Sequence, residues 1–75
     1  MTETELKKAL GARIRQLREE RKILQQDLAS MCNFEKGNMS KLEAGRSNPK
    51  FLTLYKISNA LNIPLSQLVD LGGKL

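Results

Sequence analysis

The sequence contains no histidine and no tryptophan, one cysteine, one tyrosine and two phenylalanines. Each shortage removes a chemistry. Without histidine there is no histidine-based catalytic triad. With Cys32 as the lone thiol besides, a tetrahedral zinc site lacks its usual donors, and no intrachain disulfide can form. So few aromatic side chains cannot make the stacking surface that reads single-stranded RNA. Two prolines and five glycines in 75 residues do not make a linker. No apolar run approaches the roughly 18 residues that suggest a membrane span. Met1 to Leu10 carries Glu3, Glu5, Lys7 and Lys8 and is therefore no secretory signal. Paired carboxylates at a useful spacing and a glycine-rich phosphate loop are missing too, so no enzyme is expected. The expectation is a single cytoplasmic domain spanning residues 1–75, with no cofactor, no metal, no membrane and no small-molecule ligand.

What is present is charge. Thirteen Lys and Arg stand against eight Asp and Glu, a net charge of +5. A modest excess of this kind permits a polyanionic partner without requiring one. Its distribution says more. Lys36, Lys41, Arg46, Lys50 and Lys56 face only Glu43 between residues 36 and 56, whereas Arg13, Arg15, Arg18, Arg21 and Lys22 are interleaved with Glu19 and Glu20. A contact with a polyanion is therefore sought first in the later segment.

Apolar residues recur with helical spacing throughout. Leu6, Leu10, Ile14 and Leu17 mark a helix from about Thr4, a candidate cap, to Lys22, with Gly11 as a weak point. Leu24, Leu28, Met31 and Cys32 predict a second over 25–32, stopped by Asn33. Phe34, Met39 and Leu42 predict a third over 36–44, ended by Gly45. Leu54, Ile57, Ser58 and Leu61 form the inner face of a fourth over 51–61, and Pro64 opens a fifth that carries Leu65, Leu68, Val69 and Leu71. No stretch alternates with a period of two. The predicted fold class is all-α, a compact five-helix domain with short connections. Cys32 reads as a small buried hydrophobe and Tyr55 as a core-edge residue.

The two short helices at 25–32 and 36–44, joined by a turn of about three residues, have the form of a helix-turn-helix, which places its second helix in the DNA major groove. Spacing alone is a weak signal in a small helical protein. The residues make it specific: Ile14-Arg15-Gln16-Leu17-Arg18, Gln25-Gln26-Asp27-Leu28-Ala29, Met39-Ser40-Lys41-Leu42-Glu43, Gly45-Arg46-Ser47-Asn48-Pro49, Ala60-Leu61-Asn62-Ile63 and Gln67-Leu68. In this order and spacing, over about residues 14–68, the sequence resembles the Cro and phage-repressor (XRE-like) helix-turn-helix family, with the motif at about 25–44.

The resemblance implies sequence-specific binding of double-stranded DNA. Lys36, Gly37, Asn38 and Lys41, on the outer side of the third helix, become the candidates for reading bases; lysine can donate to guanine O6 and N7, and Asn38 can read adenine. Gln25 and Gln26, at the start of the second helix, and Arg46, Ser47, Asn48 and Lys50, in the loop after the third, become the phosphate contacts. Arg18 and Glu43 occupy positions that pair in the family, and that pair is expected to orient the reading helix. Four departures stand out: Leu24 replaces the usual capping Ser or Thr, Asn33 the turn glycine, Glu35 a Ser or Thr near phosphate, and Gly37 a base-reading side chain.

Such modules commonly act as symmetric dimers on a pseudo-palindrome. A homodimer is expected through the C-terminal helix region, where Leu65, Leu68, Val69 and Leu71 leave some apolar surface over, joined by Leu52 or Leu75; the alternative is that all of these are used internally. The leading function is a transcriptional regulator, either a compact repressor or a restriction-modification controller. An antitoxin-like regulator, or a protein-interaction module on the same fold, is the competing reading.

Overall fold

The computed structural model describes residues 1–73, and within them the fold is all helical. The elements are α1 (Glu3–Glu20), α2 (Gln25–Met31), α3 (Lys36–Glu43), α4 (Phe51–Ala60) and α5 (Leu65–Leu68). They pack into a body of 31 × 23 × 21 Å. Ile14, Leu17, Leu28, Met39, Ile57, Leu61 and Leu68 form its centre. α3 lies against both α1 and α2, α4 rests on α5, and α1 and α2 touch α5 and α4 respectively.

The cap of α1 lies two residues before the predicted one. Thr2, not Thr4, closes the helix: the Thr2 hydroxyl accepts from the Glu5 backbone N–H, and the Glu5 carboxylate accepts from the Thr2 backbone N–H, both at 3.1 Å. This reciprocal pair is a capping box. The hydrogen bond from the Thr2 backbone holds the Glu5 carboxyl below its ordinary value.

The four longer helices end alike. α1 to α4 each stop at a residue with positive φ: Lys22 at 56°, Asn33 at 59°, Gly45 at 76° and Asn62 at 58°. In every case the following N–H reaches back five residues. Ile23 donates to Arg18 O, Phe34 to Ala29 O, Arg46 to Lys41 O and Ile63 to Ser58 O. These are Schellman ends, and they satisfy carbonyls that would otherwise lack partners. Ile23, Phe34 and Ile63 also tuck partly into the core, supplying the apolar contact that accompanies the motif. The left-handed turn at Lys22 is why α1 stops at Glu20 and not at Lys22 itself.

Gly11 does not weaken α1; it is where α1 crosses α3. A Cβ there would lie 2.5 Å from the Leu42 carbonyl oxygen and 2.6 Å from that of Glu43. Gly45 repeats the device, since a Cβ at that position would lie 2.7 Å from the Lys8 Cα. Two glycines thus let the end of α3 approach α1 backbone to backbone.

Three apolar residues of the predicted inner stripes face outward. Leu24 is 60% exposed, Met31 56%, and Leu6 is also open to solvent. Tyr55, expected at the core edge, is 51% exposed on the outer side of α4. Leu24 caps α2 with its backbone alone, without a side-chain hydrogen bond. α5 is a single turn with Pro64 at its cap. Leu68 and Leu71, from the expected dimer patch, are buried in the chain's own core; Leu75 lies outside the described residues. Cys32 is buried as expected, and burial pushes its thiol pKa up.

Candidate nucleic-acid interface

α2 and α3 meet through Leu28, Ala29, Met39 and Leu42, all buried. Small Ala29 permits the close crossing. α3 is thereby divided: Met39, Leu42 and Glu43 point inward, while Lys36, Gly37, Asn38, Ser40 and Lys41 are exposed.

The inward side carries the site's most constrained polar group. Arg18 Nε donates to Glu43 Oε2 at 2.8 Å, and Arg18 Nη2 to Glu43 Oε1 at 2.9 Å. The third guanidinium nitrogen, Nη1, donates to the Ile23 carbonyl at 2.8 Å. The two charged side chains are 10% and 3% exposed. The hydrogen bond to Glu43 raises the Arg18 pKa above its ordinary value against the opposing effect of burial, so the guanidinium stays charged. A buried, bidentate pair of this kind is fixed in geometry in a way that a surface pair is not.

Gln25 joins this pair without any signal in the sequence pattern. Its Nε2 donates to Glu43 Oε1 at 3.1 Å. One amide proton of Gln25 is therefore spent on the buried carboxylate, leaving the other for an outside acceptor. The network joins the end of α1, the start of α2 and the end of α3.

The expected base-reading and phosphate-binding groups fall on one side of the molecule in part. Asn38 and Lys41 share a groove with Ser47, together with Phe34, Pro49 and Thr53. Lys36 and Gly37 begin α3, and Gln25 and Gln26 begin α2. Arg46, Asn48 and Lys50 are exposed and Ser47 is half-buried. Among the described residues, no carboxylate lies within ion-pair distance of Lys36, Lys41, Arg46 or Lys50. A cluster of uncompensated cations focuses a positive potential. Glu35 caps α3 without bonding to its N–H groups, so its carboxylate is also exposed at this end. A side chain at position 37 would meet no protein atom within 4 Å, so packing does not demand the glycine there.

The basic residues of α1 behave differently. Arg13 donates from Nε and Nη2 to the Gln67 carbonyl at 3.3 and 3.0 Å, and Arg21 from Nε to the Leu61 carbonyl at 3.0 Å. Arg15 pairs with Glu19 at 3.2 Å on the surface. Two α1 arginines thus hold the ends of α5 and α4. Arg18 is marked in the sequence by its motif position; Arg13 and Arg21 carry no such mark, because their acceptors are main-chain atoms far along the chain.

Fold and site together define a helix-turn-helix DNA-binding module. The family described as helix-turn-helix domain matches residues 11–74. A regulator of Sinorhizobium fredii, described as the uncharacterized HTH-type transcriptional regulator y4dJ, is 32% identical over 65 residues, which is 87% of this chain and 84% of that protein. The immunity repressor protein of Bacillus phage phi105 is 37% identical over 60 residues, covering 80% of this chain but 42% of the repressor. Among solved structures, the clp gene regulator ClgR of Corynebacterium glutamicum superposes with a TM-score of 0.85 at 27% identity, over 88% of this chain and 70% of ClgR. The restriction-modification controller C.AhdI of Aeromonas hydrophila gives 0.81 at 26% identity, over 85% and 96%. The chain belongs to the Cro and phage-repressor (XRE-type) helix-turn-helix family, and it is a DNA-binding transcription regulator. That family is not an enzyme class. No described helix is long and apolar enough to cross a membrane.

Proposed function

We propose that the chain binds a pseudo-palindromic operator as a homodimer, each copy reading one half-site with the exposed side of α3. Lys36, Asn38 and Lys41 meet base edges in the major groove, and Gly37 leaves room for close approach. Gln25, Gln26, Arg46, Ser47, Asn48 and Lys50 hold the phosphates on either side and set the register. Arg18 and Glu43 fix the pitch of α3 from behind. The division of α3 itself supports this most strongly: one side is held to α1 and α2 by a buried bidentate ion pair, and the other presents unpaired cations to solvent. Orientation is set on one side and recognition is open on the other.

The regulatory sense follows the relatives' names. One relative is an immunity repressor and one structural neighbour a restriction-modification controller, and both fit a small module that occupies an operator. Selection from a random duplex library tests the reading. The expected outcome is an enriched, inverted-repeat site with half-sites about one helical turn apart. A folded protein that enriches no sequence at low salt contradicts it.

A further inference from the structure

Between Leu28 and Val69 the sequence holds two carboxylates, Glu35 and Glu43. Glu43 is buried and spent on Arg18 and Gln25. Glu35 is placed quite differently. Its backbone is fixed as the cap of α3, where its carbonyl accepts from the N–H groups of Asn38 at 3.0 Å and Met39 at 3.3 Å. Its side chain is exposed and makes no bond back to the helix. Glu5, in the first turn of α1, does the opposite and closes a capping box. Among the described residues, no lysine or arginine lies within ion-pair distance of Glu35, although Lys36 adjoins it and Lys41 lies on the same helix. An unpartnered carboxylate thus opens the helix that faces DNA. Close by, Gly37 contributes no side chain, and a Cβ at that position would meet no protein atom within 4 Å.

We infer that Glu35 is a specificity-determining residue that selects a cytosine in each half-site, taking the reading place that Gly37 leaves empty. The inference rests on the half-site reading above and assigns one base within it. A carboxylate this near the duplex has two kinds of neighbour. Phosphates repel it, so it gains nothing from the backbone contacts that serve the lysines. Base edges in the major groove differ, because two of the four bases carry an amino donor there. An ionised carboxylate only accepts hydrogen bonds. Guanine, with O6 and N7, and thymine, with O4, present acceptors to it and are disfavoured. Adenine presents its N6 amino group beside the N7 acceptor, a pattern matched by an amide and not by a carboxylate. Cytosine presents its N4 amino group with no acceptor beside it on that edge, so it is the base that Glu35 fits.

Position agrees with this. The N-terminal residues of the second motif helix are those that meet base edges. With no side chain at position 37, the first turn of α3 can sit lower in the groove, which brings Glu35 within reach of a base. The departures at 35 and 37 are then one exchange: the side chain given up at one position is replaced by that at the other. The negative charge serves discrimination as well. A site without the amino donor leaves the carboxylate desolvated and unpaired, which penalises the wrong sequence.

Duplex library selection with wild type, Glu35→Gln and Glu35→Ala tests this. The Glu35 side chain has no hydrogen-bond partner in the cap, so both variants should keep the helical circular dichroism and melting of wild type. Wild type should enrich one fixed cytosine in each half-site. Glu35→Gln should shift that position toward adenine, whose N6 and N7 suit an amide, and Glu35→Ala should leave it without preference; the other positions should stay as they are. A direct check uses the wild-type site with that cytosine replaced by 2-pyrimidinone, which lacks the amino group. In one half-site this should weaken wild-type binding by about tenfold and leave Glu35→Ala unaffected. Identical base preferences in all three proteins overturn the inference, even where the variants bind every duplex more tightly, because Glu35 is then a repulsive charge and no more. A wild type that enriches no site overturns the half-site reading and this one with it; a site that the variants read in the same way overturns this one alone.

Discussion

Two parts of this molecule are comparably basic and use their charge in opposite ways. α1 contributes arginines: Arg18 is buried against Glu43, while Arg13 and Arg21 donate to the carbonyls of Gln67 and Leu61. Residues 36–50 contribute mainly lysines, at 36, 41 and 50, with Arg46, and no described carboxylate pairs with any of them. The difference follows the side chains' chemistry. A planar guanidinium carries five fixed donors and can satisfy two or three acceptors inside a fold; an ammonium is a hydrated point charge on a flexible stem, suited to a mobile anion in water. Positive charge in the sequence is therefore not one quantity. In Arg13, Arg18 and Arg21 it holds helix ends in place, and in α3 and its loop it remains available to phosphate and base.

The sharpest break of this contrast is to remove one half of the buried pair. Glu43→Ala leaves Arg18 buried without its carboxylate and Gln25 without its acceptor, and should cost about 3–5 kcal/mol in urea denaturation. Arg18→Lys should be destabilising as well, because an ammonium cannot reach both carboxylate oxygens and the Ile23 carbonyl together. Lys41→Ala, on the opposite side of α3, should stay within about 0.5 kcal/mol of wild type while weakening operator binding.

The two regions also differ at their glycines. Gly11→Ala drives a Cβ into the carbonyls at the end of α3 and should destabilise the fold by about 1–3 kcal/mol. Gly37→Ala meets nothing and should stabilise it by about 0.5–1 kcal/mol, by restricting the unfolded chain and favouring α3. Thermal melting of the two variants should move in opposite directions; shifts of the same sign would refute the placement of α1 across α3. Gly37→Ala should further alter which operator bases are preferred, read from the same library selection.

The smallest expected effect lies at the far end of α1. Thr2→Ala removes the hydroxyl half of the capping box and should cost about 1 kcal/mol or less. Its pH dependence has a definite sign. The Glu5 carboxyl titrates below its ordinary value of 4.5 in the folded chain, so its contribution is present above that value and is lost as pH falls through the lower, folded one. Acid titration of wild type should show this loss, and Thr2→Ala should show a smaller one, because the backbone N–H that donates to Glu5 survives the substitution while the hydroxyl does not.

Much of this is legible in the sequence where the determinant is local or repeated. The four longer helices follow from apolar spacing, and Asn33, Gly45 and Asn62, residues that tolerate a left-handed turn, mark their stops. Lys22 adopts the same turn without that signal, so periodicity alone carries α1 two residues too far. Arg18 and Glu43 are visible because the motif fixes both positions. Arg13 and Arg21 are not, since their acceptors are main-chain oxygens 54 and 40 residues away. Gly11 looks like a weakness in a helix because its purpose lies in α3, not in α1. Leu6, Leu24 and Met31 sit at plausible inner positions by periodicity, and only the packing shows them facing out. The assignment of individual residues to bases and phosphates rests on the family pattern and the exposure of α3.

The salt dependence of operator affinity, measured for two double variants beside wild type, tests the division of charge most directly. Arg46→Ala with Lys50→Ala should reduce the magnitude of the log–log slope by about 3.6 for the dimer, at about 0.9 for each of the four phosphates left unneutralised, with the melting temperature unchanged. Arg13→Gln with Arg21→Gln should leave the slope as it is and lower the melting temperature. A slope that falls equally in both variants, or only in the α1 variant, would contradict this division.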